Sequence, residues 1–298
     1  MYILKPVIHE TIWGGNRLNH YVKEYGVKIG HLYLANGHDE MSNEILNGVY
    51  AGKILKDVFQ TEKRNWNMEE YNEFPLTIAL VDASENLSIQ VHPDNIDAER
   101  LEGIRIGKTE SWIFIQEPEK GWIYDGCRCS TKEEIEMAVK ENRMEEITAR
   151  LNIKKNDYVC VKAGTLHAMT EGSLVYEIEY GGDFTYRFYD YNRKDKDGNS
   201  RELHIRKAVE SIKPDNIPVV RRDIGNQWIS EENYEIQKIK DQKEYQNISE
   251  GLECFTLLDG EGQEEDCELY NGMTVLLLPG EKLSQIKINQ AIIARIIK

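Results

Sequence analysis

Gln90 and His92 stand two residues apart in LSIQVHPD (87–94), a segment with strand-like alternation, so both side chains leave the same face. Glu110 lies at the start of the next such segment, KTESWIFI (108–115). His167 follows the Gly164 turn that closes DYVCVKAG (157–164). Two imidazoles, a carboxylate and an amide oxygen brought in by three strand ends make a donor set for one borderline divalent metal inside a small barrel. Zn²⁺ fits it and leaves room for a water or a substrate oxygen. Mn, Fe, Co and Ni accept the same donors, whereas an all-oxygen calcium or magnesium site is a poor match. Lys108 is two residues before Glu110 and points into whatever cavity Glu110 reaches. His9, His20, His31, His38 and His204 have no comparable company and are read as surface or hydrogen-bonded core residues.

Positioning such a set requires short strands ending in tight turns. FPLTIALVD (74–82), LSIQVHP (87–93), SWIFIQ (111–116), DYVCVKAG (157–164), SLVYEIEY (173–180), FTYRFYDY (184–191) and MTVLLLPG (273–280) have that content, with turn residues between most of them. One stretch, 131–152, reads as helix: Thr131 with Glu134 forms a capping-box pattern, and Ile135, Ala138, Val139, Ile147 and Leu151 recur at helical spacing. The expected fold is mainly β, a sandwich or jelly-roll barrel with a helical insertion. Asn156 to His167 also overlays Gly272 to Leu283 without gaps: a turn residue, a strand, and a glycine eight positions on. That weak repeat predicts two related barrels, of which only the first keeps a histidine at the last position. The domains expected are 1–222, with the metal, and 223–298, without it.

Bulk properties narrow the function. The net charge of −15 leaves no basic stripe for nucleic acid, so an anionic substrate needs its own local Lys and Arg. Five cysteines at 127, 129, 160, 254 and 267 lack paired CxxC spacing and are expected to be reduced thiols of a cytoplasmic protein. The longest apolar runs, such as AIIARII (291–297), fall well short of the ~20 residues of a membrane span. MYILKPVIHETIWGG shows no basic-then-apolar leader, and no signal peptide is expected.

KPVIHETIWGGNRL (5–18), FPLTIALVDASENLSIQVHPD (74–94), GKTESWI (107–113), KAGTLHAM (162–169) and TYRFYDYNRKDKDGNSRELHIRKAVE (185–210) resemble blocks of the type I mannose-6-phosphate isomerases, in order and at their spacing. The resemblance implies a double cupin fold and one zinc ion held by Gln90, His92, Glu110 and His167. It implies interconversion of mannose 6-phosphate and fructose 6-phosphate through a cis-enediol. It assigns Arg187 to the oxyanion charge near the reacting carbons, and Asp183 and Glu177 to the carboxylates proposed as acid and base. Lys108 adds charge to the same cavity, and Arg193 and Lys194 are read as a solvated turn. The chain departs from the family pattern in three places, one of them Lys162 where the cupin turn commonly has a proline. Gly30-His31-Leu32-Tyr33-Leu34 replaces a Gly-Glu-Ser-Trp-Glu-like strand, and Glu179-Tyr180-Gly181-Gly182 replaces Gln-Gln-Asn-Ser, with the two glycines expected to loosen that loop. Those departures keep two alternatives open: a non-catalytic sugar-phosphate binder, and a cupin enzyme acting on another sugar phosphate.

Overall fold

A computed structural model of the chain describes residues 1–22, 26–38, 41–195 and 197–297. It is mainly β, with 41% strand against 14% helix, the proportion expected of a cupin. The chain divides into two compact units, one of Met1–Glu10, Asn16–Leu80 and Ile224–Lys298, the other of Thr11–Gly15 and Val81–Asp223. The changeover after Asp223 falls beside the sequence boundary at 222. Residues 16–80, which sequence reading joins to the metal-binding part, group instead with the C-terminal stretch. In that unit strand Tyr2–Leu4 pairs with Thr274–Leu277, Ile3 opposite Val275, so backbone pairing binds the N-terminus to the C-terminal sheet. The sheet runs on through Glu253–Glu264, Ile286–Ile296, Tyr234–Gln242 and Ile229–Ser230.

All eight candidate residues lie in the other unit. Its five-stranded sheet runs in the order Tyr186–Tyr189, Ile89–Val91, His167–Ala168, Trp122–Cys127 and Thr148–Asn152. A second sheet passes, within this unit, through Val220–Arg221, Tyr158–Val161, Lys108–Gln116 and Leu174–Gly181. Every segment expected to be extended contains a strand. The helix expected over 131–152 is only partly right. Thr131 and Glu134 form the capping box, but the helix covers Lys132–Lys140 and ends at Glu141, and Asn142 turns left-handed at φ 55°. Residues Thr148–Asn152 are instead a strand, with Leu151 paired to Ile123. Cross-strand partners outweighed a periodicity that the sequence carries through the turn.

The repeat takes the same local form in both copies. Asn156 (φ 68°) and Gly272 (φ 89°) open the strands, and Gly164 (φ 87°) and Gly280 (φ 82°) close them. His167 is buried in the first copy and Leu283 in the second, where it joins an apolar cluster with Phe255, Leu257 and Val275.

The expectation that Gly181 and Gly182 loosen their loop is corrected. Gly181 pairs with Lys108 at φ 108°, and a Cβ there would overlap the Gly107 carbonyl oxygen. Gly182 N–H donates to that same carbonyl at 3.0 Å. The glycines allow a close backbone approach that ties the loop to the start of the Lys108 strand. Gly181→Ala is therefore expected to cost about 1–3 kcal/mol. At Gly182 an added Cβ meets the nearest atom, Ile106 O, at 3.1 Å, so Gly182→Ala should cost less. Urea-unfolding midpoints of the two variants check this order.

Candidate metal centre and active site

Across the five-stranded sheet, Arg187 is paired with Gln90, Gln90 with His167, and His167 with Asp125. Residues directly opposite on neighbouring strands project to one face. The chain neighbours of this row, Tyr186 and Phe188, Ile89 and Val91, Leu166 and Ala168, and Tyr124, belong to one apolar cluster. That cluster also holds Ile135 and Ala138 of the capped helix and Ala208 and Val209 of helix Ile205–Ser211. With the alternate residues buried under helices, the strand period of two turns the polar row to the opposite face, toward the second sheet.

Glu110 meets it from there. Its Oε2 is 3.0 Å from His92 Nε2 and its Oε1 is 3.3 Å from His167 Nε2. The two imidazole rings are 4.8 Å apart, and Gln90 Nε2 lies 3.4 Å from His167 Nε2. Turning the Gln90 amide over puts its oxygen at that position, since the two ends of an amide are nearly alike in shape. His92 Nδ1 faces the Phe184 carbonyl at 2.9 Å and His167 Nδ1 the Thr165 carbonyl at 2.8 Å. A carbonyl only accepts, so each ring carries a proton on Nδ1 and turns its Nε2 toward Glu110. Burial pushes the His167 imidazole down to about 4, which keeps it neutral near pH 7. The donor atoms of His92, Glu110 and His167 lie within 4.8 Å of one another, and neither His92 Nε2 nor Glu110 Oε1 makes a hydrogen bond. Nitrogen and carboxylate donors crowded in this way fit a cation, and these residues could hold one.

The other candidates divide. Lys108 is buried, 2.8 Å from Glu179 Oε1 and 3.6 Å from Glu110 Oε2. Burial alone would lower its ammonium, but Glu179, then Glu110, Asp183 and Glu177, outweigh burial and raise it. Glu177 is buried and accepts from Trp112 Nε1 at 2.8 Å; burial, then the charges of Glu110 and Glu179, hold its carboxyl well above the usual range. Asp183 is exposed on the loop after Gly182, and Arg187 is half-buried, with Nη1 donating to the Glu202 carbonyl at 3.4 Å. Two residues of this region are not among the site residues expected from the sequence. Glu179 stands opposite Glu110 in the second sheet, and only its spacing of two from Glu177 hinted at it. Asp125 has both oxygens buried without a hydrogen bond, and burial, then Glu110, raise its carboxyl well above the usual value. The alternation in WIYDGC was the available signal.

Residues 1–109 match the model of the phosphomannose isomerase type I catalytic domain. The chain is 36% identical to the probable mannose-6-phosphate isomerase GmuF of Bacillus subtilis (strain 168) over 75% of its own length and 73% of that protein. It is 35% identical to the mannose-6-phosphate isomerase ManA of the same strain, over 72% of this chain and 68% of ManA. The chain belongs to the type I mannose-6-phosphate isomerase family. The crystal structure of the mannose 6-phosphate isomerase from Bacillus subtilis superposes with a TM-score of 0.85 at 28% identity, covering 99% of each chain. The fold is thus that of a mannose-6-phosphate isomerase, followed over nearly the whole chain.

The unfolded chain protonates this imidazole near pH ~6.5, the folded one near 4. Between those values the unfolded state binds more protons, so His167 contributes stability that is present above about 6.5 and lost as pH falls. The metal-free protein should lose on the order of 3 kcal/mol from this source by the acid end of that window. Urea unfolding at several pH values should show a shallower acid slope for His167→Gln than for the natural chain.

Proposed function

We propose that this chain is a metal-dependent aldose–ketose isomerase that interconverts mannose 6-phosphate and fructose 6-phosphate through a cis-enediol. The observation that carries the reading is the convergence of His92, Glu110 and His167 on one buried point, with Lys108 beside them, in a chain of this family. We assign one Zn²⁺ per chain to Gln90, His92, Glu110 and His167, by the mixed nitrogen and oxygen donors; other divalent metals share that chemistry. When bound, such an ion supplies positive charge to the oxygens on C1 and C2 of the sugar.

The protein's own groups do the rest. Lys108 remains an ammonium because Glu179 and Glu110 flank it, so it offers charge and a hydrogen-bond donor, and it is a poor base near pH 7. Arg187 presents a second cation from the row that also holds Gln90 and His167. Together they stabilise the enediolate oxygens, where the charge develops during proton transfer. Moving a proton between C2 and C1 is assigned to the carboxylates Glu177 and Asp183. Glu177, whose proton affinity is raised in its buried position, suits the return of a proton. The two cations also give an anionic substrate a local partner in an acidic protein. We place the reaction in the cytoplasm, on a small sugar phosphate and not on nucleic acid or a membrane. The acidic balance and five cysteines that form no disulfide among the described residues support that placement. Among the described residues no helix is long and apolar enough to cross a membrane.

A coupled assay of fructose 6-phosphate formation tests the reading. Activity should vanish on treatment with a chelator and return with Zn²⁺. Arg187→Ala should lower kcat by about 100-fold or more while bound metal per chain stays unchanged, since the guanidinium acts on developing charge and not on the ion. Turnover that survives complete removal of metal would reject the mechanism.

A further inference from the structure

Asp125 is the fourth member of the cross-strand row and has no part in the scheme above. It pairs with His167 on strand Trp122–Cys127, while its neighbour Tyr124 packs in the apolar cluster on the other face. Its carboxyl therefore projects to the same side as the His167 imidazole. The residue is 1% exposed, and neither oxygen has a hydrogen-bond partner among the described groups. Leaving a buried polar group unmatched costs about 1–3 kcal/mol, and more for a charge. Ile123, on the same face two residues earlier, shows that this side of the strand takes an aliphatic side chain. A carboxyl here needs a compensating group, and the charge of Glu110, which also reaches it, is of the wrong sign.

A cation among the Nε2 and carboxylate donors has the right sign. Asp125 does not belong to the cluster of His92, Glu110 and His167 whose donor atoms lie within 4.8 Å of one another, so it is not a further direct ligand. We propose that Asp125 is an outer carboxylate of the metal centre, a positioning residue that reaches the ion through water beside His167 and raises the ion's affinity. The inference rests on the metal reading given above. Carboxylates in such outer positions contribute about 10–100-fold to metal affinity, through charge and by holding waters and ligands in place.

The test is a Zn²⁺ titration of the metal-free full-length protein against a chromogenic chelator, with circular dichroism to verify folding. Asp125→Asn keeps the shape and removes the charge; it should bind Zn²⁺ about 10–100-fold more weakly than the natural chain. Asp125→Ala, the second variant, should shift in the same direction. The control is Asp157→Asn, which alters a buried carboxylate paired with Arg222 and with the Lys154 N–H. It should leave the Zn²⁺ Kd within twofold of the natural value. Three results overturn the proposal: an unchanged Kd in Asp125→Asn, an equal loss in Asp157→Asn, or an unchanged Kd with a raised KM for mannose 6-phosphate. The last would assign Asp125 to the sugar. If the natural chain itself takes up no Zn²⁺, the metal reading fails together with this inference, and that is visible before any variant is made.

Discussion

Two imidazoles and a carboxylate from two sheets press on one buried point. Backbone carbonyls at Phe184 and Thr165 claim the Nδ1 protons of His92 and His167, and Glu110 faces the two Nε2 atoms at 3.0 and 3.3 Å. In a dry interior such a cluster of polar donors is costly to bury, and a cation among them offsets that cost. The surrounding structure holds that cluster in place, with apolar packing on the other face of the sheet.

That packing is what aims the cluster. Each strand of the five-stranded sheet that contributes to the row turns large apolar groups, Tyr124, Ile89, Val91, Tyr186 and Phe188 among them, toward helices Lys132–Lys140 and Ile205–Ser211. Because a strand alternates strictly, fixing those residues in the outer core fixes Arg187, Gln90, His167 and Asp125 on the inner face. Slipping one strand by a single residue would exchange a polar side chain of the row for a core side chain. Register, more than any individual contact, makes the site.

Charge is arranged on the same logic. A protein of net charge −15 keeps a buried lysine charged by lodging it between Glu179 and Glu110. The close approach of Gly181 to Gly107 then holds the Lys108 strand against the strand that carries Glu177 and Glu179. The replacement at 179–182 thus works as a tether and an ion-pair partner and not as a loosened loop. Had a side chain stood at Gly181, the Gly107 carbonyl would be displaced and Lys108 with it.

Much was legible in the residues themselves. Gln90 and His92 two apart, Glu110 at a strand start and His167 after a glycine turn name a donor set, and alternation and turn residues announce short strands. These are local properties, set by side-chain chemistry and by a strand period that does not depend on distant partners. Where the reading went astray, the deciding contacts were distant in sequence. Thr148–Asn152 became a strand because Trp122–Cys127 offered it an open edge. Glu179 and Asp125 look like ordinary strand residues until pairing puts one opposite Glu110 and the other opposite His167. The sequence alone determined which chemical groups were available and the element each would sit on. Only the tertiary structure decided which of them meet, because cross-strand register is a relation between segments tens of residues apart and is written in neither segment by itself.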